Sequence, residues 1–451
     1  TRARFRYAAT QRTGLRGARE IDSTVLHKAL GKFDLDEGRW LRTIGNLGRW
    51  TDERVSSFDA EHSDQCSYCG QAVGNLTHIL WKCTAFDEQR FKGDEELSSL
   101  SLEHIPSALQ YGIPVAMHAE GNDSFWCSNE DHKCPKVACS SEKLRLPPEA
   151  QNLLHNRTGE QCELNARQFI SQLKANDGNI KETFIKLLAE YQEAWPTGPP
   201  PDKGNCYTDG SLKHPQTQEW ALGGMGIWWP DRDMQKLPPT PIEKAFAYHT
   251  ISKSEVALWG SVTGDRLSST RGEIAAGIVG LSVPTTIRQP SDSMAYVLKV
   301  NQLLKGENLT LKKPWALQTD GDLWELLELL IAVRGSQSVA VDWTKGHATA
   351  KDIEQGRSTA ADRAGNNVAD ERAEQGVIDL GIGILQLATF YAAKQRAYVA
   401  LLVRIYKMFL RVLTAEAELR EKQRSEMQAK LIAEGKVKGK GKAEFISIPA
   451  T

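Results

Sequence analysis

Four carboxylic acids and one histidine sit in short, distinct settings between Asn205 and Gly376, and side chains of these types can assemble around a cation. Asp209 lies in Cys206-Tyr207-Thr208-Asp209-Gly210-Ser211, Glu273 in Arg271-Gly272-Glu273-Ile274, and Asp292 in Ser291-Asp292-Ser293. Asp370 closes Asn366-Asn367-Val368-Ala369-Asp370, and His347 stands in Lys345-Gly346-His347-Ala348. Carboxylates are hard oxygen donors of the kind that Mg²⁺ takes. Four of them packed together without cations would repel one another. Taken singly each is ordinary, since Asp-Gly-Ser is a common turn and a lone His is most simply a surface side chain. Their weight comes from occurring together, in order.

A second set is built on sulfur. Cys66, Cys69, His78 and Cys83 follow the pattern C-x2-C-x8-H-x4-C. Zinc takes four tetrahedral N and S ligands, and a C-x2-C turn supplies two thiolates from one knuckle. Leu76 to Lys82 reads as a short helix that aims His78 and Cys83 at one point, and Gly70 suits the tight turn after Cys69. Four protein ligands leave no open position, so a structural role is expected there.

The acids need elements that bring them together. Cys206–Thr208 and Gly224–Trp229 read as strands of a hairpin, with a third strand starting at Val256. Thr270–Leu281 reads as a helix with Ile274, Ala275, Ile278 and Leu281 on one face and Glu273 in its first turn. Residues 287–292 make a strand with Asp292 at its end. Helices are expected over Ala295–Leu304 and from Asp322, a fifth strand over Val339–Trp343, and a last helix from Asn367 to Glu374 with Asp370 near its start. Strands alternating with helices after a hairpin imply an α/β fold, a mixed sheet covered by helices.

The five motifs resemble those of type 1 ribonuclease H over about 170 residues, Asn205 to Gly376. That resemblance implies a five-stranded mixed sheet flanked by helices and cleavage of the RNA strand of an RNA–DNA hybrid. It implies two Mg²⁺ ions, with Mn²⁺ as a substitute, held by Asp209, Glu273, Asp292 and Asp370. One ion would activate the attacking water and the other would stabilise the 3′ leaving oxygen. His347 would shuttle protons or assist product release. Gly210 and Ser211 would touch substrate. Lys312-Lys313-Pro314-Trp315 resembles the basic substrate-contacting region, with Lys305, Lys312 and Lys313 as phosphate contacts. The chain departs from the family in the 64 positions from Asp209 to Glu273, which imply an insertion near Pro230–Glu255, and in a long loop behind His347 in which Asp362 competes with Asp370.

The Cys/His segment resembles the zinc knuckle downstream of the polymerase in non-LTR retrotransposon reverse transcriptases. Together the two resemblances imply a retroelement-derived polypeptide. No Tyr-x-Asp-Asp polymerase motif is present, so a reverse transcriptase module would be a separate partner. The alternative is a catalytically decayed nucleic-acid-binding protein that keeps the fold.

The rest of the chain is less specific. Its 451 residues allow two or three domains, and 40% hydrophobic with 25% charged residues is ordinary for a globular protein. A net charge of −1 excludes a global basic field, so nucleic-acid binding must come from local patches. The basic start Thr1–Arg6 has no apolar stretch after it and no initiating Met, which points to an intracellular fragment or processed chain, in cytoplasm or nucleus. No segment has the ~18 uninterrupted apolar residues of a membrane span.

The expected divisions are a basic helical segment over 1–60 and the zinc knuckle over 61–95. An irregular and helical region follows over 96–203, ending in the linker Pro196–Pro201, then the ribonuclease H domain over 204–377 and a C-terminal helix with a Lys/Gly-rich tail over 378–451. Trp40, Leu41, Ile44, Leu47 and Trp50 suggest one apolar helical face. Cys127, His132, Cys134 and Cys139, spaced C-x4-H-x1-C-x4-C, offer a second metal site or, more simply, free thiols and a His in an irregular loop. In the C-terminal helix Tyr398, Leu401, Leu402, Ile405, Met408, Phe409 and Val412 form a stripe suited to docking on other helices. Lys436, Lys438, Lys440 and Lys442 punctuate the tail.

Overall fold

The computed structural model describes residues 21–102, 105–115, 147–150, 152–153, 163–175, 180–190, 195–251 and 255–434. The cluster Cys127, His132, Cys134 and Cys139, the residue Cys162, the basic start and the lysine tail lie outside these residues. Two compact units form, one from residues 1–144 with 395–451 and one from 145–394. Among the described residues no single helix is long and apolar enough to cross a membrane.

The first unit is helical. Helices α1 (Ser23–Leu30), α2 (Leu35–Gly45) and α3 (Asp52–Ser56) precede the knuckle. α2 starts where Asp34 and Glu37 form a reciprocal capping box. Its Leu41 and Ile44 are buried, but Trp40 and Trp50 are exposed, so the expected apolar face is narrower than the spacing suggests. A turn of wide helix spans His78–Lys82, followed by α4 (Asp87–Gly93) and α5 (Glu95–Ser98). The C-terminal helix, Ile382–Ala433, contributes Tyr398, Leu401, Leu402, Ile405, Met408, Phe409 and Val412 to this unit's core. The stripe thus docks on helices, as its period requires. Arg404 fixes the approach with a two-pronged bond to Asp94 (2.6 and 2.8 Å).

The second unit carries the sheet. After helices α6 (Glu163–Lys174) and α7 (Ile180–Glu190) come β1 (Tyr207–Lys213), β2 (Leu222–Trp229), α8 (Pro241–Phe246), β3 (Tyr248–Ile251), β4 (Val256–Val262) and α9 (Ser269–Leu281). Then follow β5 (Ile287–Ser291), α10 (Met294–Leu304), α11 (Gly321–Arg334), β6 (Val339–Trp343), α12 (Ala350–Glu354) and α13 (Ala360–Ile378). The strands form an antiparallel ladder in the order β1-β2-β4-β3 and a parallel pair β5-β6. Among the described residues the expected five-stranded sheet is corrected to six strands in two ladders. The sixth, β3, comes from the insertion after Pro230, where Thr240 and Glu243 cap α8 and the buried pair Arg232–Glu243 (2.5 Å) pins it. The two ladders meet where the Asn205 and Cys206 amides both donate to the Arg288 carbonyl (3.1 and 3.4 Å).

Two helices straddle the antiparallel ladder by means of glycine. A Cβ on Gly272 of α9 would lie 2.7 Å from Gly210 Cα and 2.8 Å from the Gly224 carbonyl. Only a bare backbone lets α9 come this close to β1. On β2, a Cβ on Gly226 would overlap the Ala369 carbonyl of α13. α9 is buried nearly all round, with Ile274, Ala276, Ile278, Val279 and Leu281 in the core, each worth about 1.5–3 kcal/mol of apolar burial for the large side chains.

Candidate active site and metal centre

Three acids converge. One carboxylate oxygen each from Asp209, Glu273 and Asp292 lie within 4.8 Å of one another. Asp209 comes from the middle of β1, opposite Gly226 in the register. Glu273 comes from α9, in its second turn rather than its first, because the helix begins at Ser269 behind an N-cap at Ser268. The close seam at Gly210 and Gly272 is what brings these two together, since each glycine adjoins one of the acids. Asp292 follows the last residue of β5.

Burial acts strongly on this trio. Asp209 is pushed up to about 7, first by burial and then by the charge of Asp292, against the pull of hydrogen bonds from Glu273 and the Gly210 amide. Glu273 is driven well above the carboxylate range by burial and by the charges of Asp209 and Asp292. Without a cation, both carboxyls are held toward the protonated form. Ser291 donates to Glu273 Oε2 (3.4 Å). A divalent cation would reverse this, because opposite charge among crowded oxygens restores the ionised form.

Asp370 does not join the group of three. It lies in the middle of α13, not near the start of a helix, because α13 already begins at Ala360 behind the Thr359 cap. Its charge is nonetheless felt at Asp209, which it raises. Asp362 is engaged elsewhere: it accepts from the Thr359 hydroxyl (2.8 Å) and from the Tyr207 hydroxyl (3.2 Å). Between the two, Asp370 is the one whose charge reaches Asp209.

His347 is exposed and also lies outside the group, in a left-handed backbone conformation (φ 46°) that is uncommon for a side-chain-bearing residue. Its loop is tied at several points: Thr344 N donates to the Ser291 carbonyl (3.0 Å), Lys345 N to the Arg357 carbonyl (3.2 Å), and Thr344 pairs with Ser358 (2.9 Å). Between them Gly346 passes so near Asp292 that a Cβ there would overlap the carboxylate. Trp343 donates its indole N–H to the Asp292 carbonyl (3.1 Å). Neither contact is visible in the sequence, because both depend on the β5-β6 pairing.

Of the expected substrate contacts, Gly210 and Ser211 continue β1 beside Asp209. Lys305, Lys312 and Lys313 are exposed in the segment between α10 and α11. That segment is anchored by Trp315, and Lys299 sits over both Trp315 and Trp324 (4.6 and 4.5 Å), a cation–π support invisible in the sequence.

The sulfur centre closes on itself. Cys66, Cys69, His78 and Cys83 each offer a ligand atom within 4.8 Å of the others. Cys66 Sγ to Cys83 Sγ is 3.7 Å and Cys69 Sγ to His78 Nε2 is 3.2 Å. Two zinc–sulfur bonds of about 2.3 Å at a tetrahedral angle place their sulfurs ~3.8 Å apart, so the spacing fits zinc. Gly70 takes the left-handed turn (φ 66°) after the first pair. Burial, then Arg90 and Lys82, lower the His78 imidazole below its ordinary value, which keeps it neutral as a ligand requires. Burial pushes the Cys83 thiol up to about 12. A cation is what would let that buried sulfur ionise.

No family model matches the chain, and no curated protein matches it. Among solved structures it is similar to the RNase H domain of prototype foamy virus, at 20% identity and a TM-score of 0.26, over 39% of this chain and 93% of that one. It is also similar to the prototype foamy virus protease-reverse transcriptase, at 19% identity and a TM-score of 0.27, over 41% of this chain and 23% of that one.

Proposed function

We propose that residues 204–377 form a nuclease that hydrolyses the RNA strand of RNA–DNA hybrids. The observation that carries this reading is the convergence of Asp209, Glu273 and Asp292, from three separate elements, within 4.8 Å. Buried acids this close are held apart from ordinary ionisation by burial and mutual repulsion, a cost tolerated where a divalent cation is to be bound. Two bound Mg²⁺ ions would supply a nucleophilic water and charge stabilisation at the phosphate.

The chain's own residues have separate tasks in this reading. Asp209, Glu273 and Asp292 hold the ions, and Asp370 adds a fourth carboxylate from α13. Gly346 lets the loop lie against Asp292, keeping that carboxylate in one place. His347, exposed at the loop, handles protons at the leaving 3′ oxygen. Gly210 and Ser211 present backbone and hydroxyl to the strand being cut, and a ribose 2′-OH is the group by which RNA is told from DNA. Lys312 and Lys313 meet phosphates across the hybrid. Residues 61–95 hold one structural Zn²⁺, and a reverse transcriptase module would act as a partner.

The test is strand choice. A hybrid labelled on one strand at a time should yield cut RNA and intact DNA, only with Mg²⁺ or Mn²⁺ present. Cutting of the DNA strand, or of neither, would overturn the assignment.

A further inference from the structure

The sulfur centre reaches the C-terminal helix through one aromatic side chain from each of its ligand-bearing segments. Tyr68 lies between Cys66 and Cys69, and its hydroxyl donates to Glu416 Oε1 (2.7 Å). Trp81 lies between His78 and Cys83 and packs edge-on against Phe409, with ring centroids 5.5 Å apart. Phe409 and Glu416 are seven positions apart on the same helix, so they share a face two turns apart. Tyr68 and Trp81 thus make a two-point seat.

Glu416 makes that seat consequential. It is fully buried and ion-paired with Arg49 and Arg420, and Arg420 also reaches the Tyr68 hydroxyl (3.3 Å). A buried carboxylate tolerates its position only while its partners stay in place. The Tyr68 turn is held by short-range ties: Gly70 N to the Cys66 carbonyl (2.8 Å), Cys66 N to the Ala72 carbonyl (2.7 Å), Gly74 N to the Asp64 carbonyl (2.8 Å), Ser67 N to Asp52 Oδ2 (2.9 Å) and a bridge between Gln65 and Val73, none of which reaches the His78–Cys83 segment. Its ring rests edge-on against Phe86 (5.2 Å), three residues beyond Cys83. A cation bound by Cys66, Cys69, His78 and Cys83 would cross-link both segments and fix the distance between Tyr68 and Trp81.

We propose that this centre is a metal-dependent clasp: with the ion bound, Tyr68 and Trp81 seat the C-terminal helix at Glu416 and Phe409, and loss of the ion releases residues 395–433. The proposal rests on the zinc reading of the centre, and it adds a function to it, control of whether the helix is docked.

The test is hydrogen exchange of the full chain, with metal content measured on the same samples. Removal of one equivalent of Zn²⁺ by a chelator should raise exchange over residues 398–420 by about tenfold or more, with residues 207–229 unchanged. Tyr68→Phe should keep its zinc and still exchange faster over 412–420, because a buried charge has lost a donor. Loss of the zinc equivalent with unchanged helix exchange overturns the clasp alone. A chain that takes up neither Zn²⁺ nor Co²⁺ overturns the zinc reading and the clasp with it. Tyr68→Phe exchanging like wild type while holding zinc overturns the role given to Tyr68 and Glu416, and with it the two-point seat.

Discussion

At Asp209 and Glu273 the same burial that prepares a cation site makes the metal-free protein sensitive to pH. Asp209 titrates at about 7 in the folded chain, above its ordinary value near 4, and Glu273 is raised as well. A raised carboxyl favours folding while it is protonated, and that contribution is lost as pH rises from about 4 through about 7. Metal-free protein should therefore melt at a lower temperature at pH 8 than at pH 5.5, and Mg²⁺ should restore more at pH 8 than at pH 5.5. Asp209→Asn should raise the metal-free melting temperature at pH 8. Calorimetry on samples that keep their zinc equivalent, with and without added Mg²⁺, measures all three. Gly346→Ala tests the loop against Asp292: the added methyl has no room beside that carboxylate, so Mn²⁺ affinity should fall by about tenfold or more with little change in urea midpoint. An unchanged Mn²⁺ titration would remove Gly346 from the site.

At the scale of elements, glycine seams do the positioning. A Cβ on Gly226 has no room under α13, whose Ala369 carbonyl lies against it. Gly226→Ala should cost about 1–3 kcal/mol by overpacking, read from denaturant unfolding, and should lower cation affinity as Asp370 moves off. Much of this framework was legible beforehand. The hairpin followed from Cys206–Thr208 and Gly224–Trp229, and α9, β5, α10, α11 and β6 followed from apolar period and turn residues. What was not legible depended on long-range packing. The insertion's Tyr248–Ile251 pairs with β4 as an edge strand, and nothing local distinguishes it from loop. The start of α13 at Ala360 was hidden because residues 361–367 hold only Ala and Gly among polar side chains and so carry no large apolar period, and a Thr359 cap decides the boundary. Glu273, Asp292 and Asp209 were identifiable by motif, but their meeting point required the Gly210–Gly272 contact.

For the whole molecule, a net charge of −1 means that no overall field draws in nucleic acid. Binding must then rest on a few local cations, and Lys312 and Lys313 are both exposed. Replacing both by Ala should weaken hybrid binding about equally for all sequences and flatten the slope of log affinity against log salt by about 1–2. An unchanged slope would place the phosphate contacts elsewhere. The division into two units, one organised around the sulfur centre and one around the acids, predicts that chelation of zinc and substitution of Asp209 perturb different observables. In the proposed reaction Asp209, Glu273 and Asp292 hold the ions that cut RNA. The rates at which wild type and Asp209→Asn cleave an RNA-labelled hybrid in Mg²⁺ test that role. Wild type should cleave and the variant should be slower by about a thousandfold or more; equal rates, or no cleavage by wild type, would contradict it.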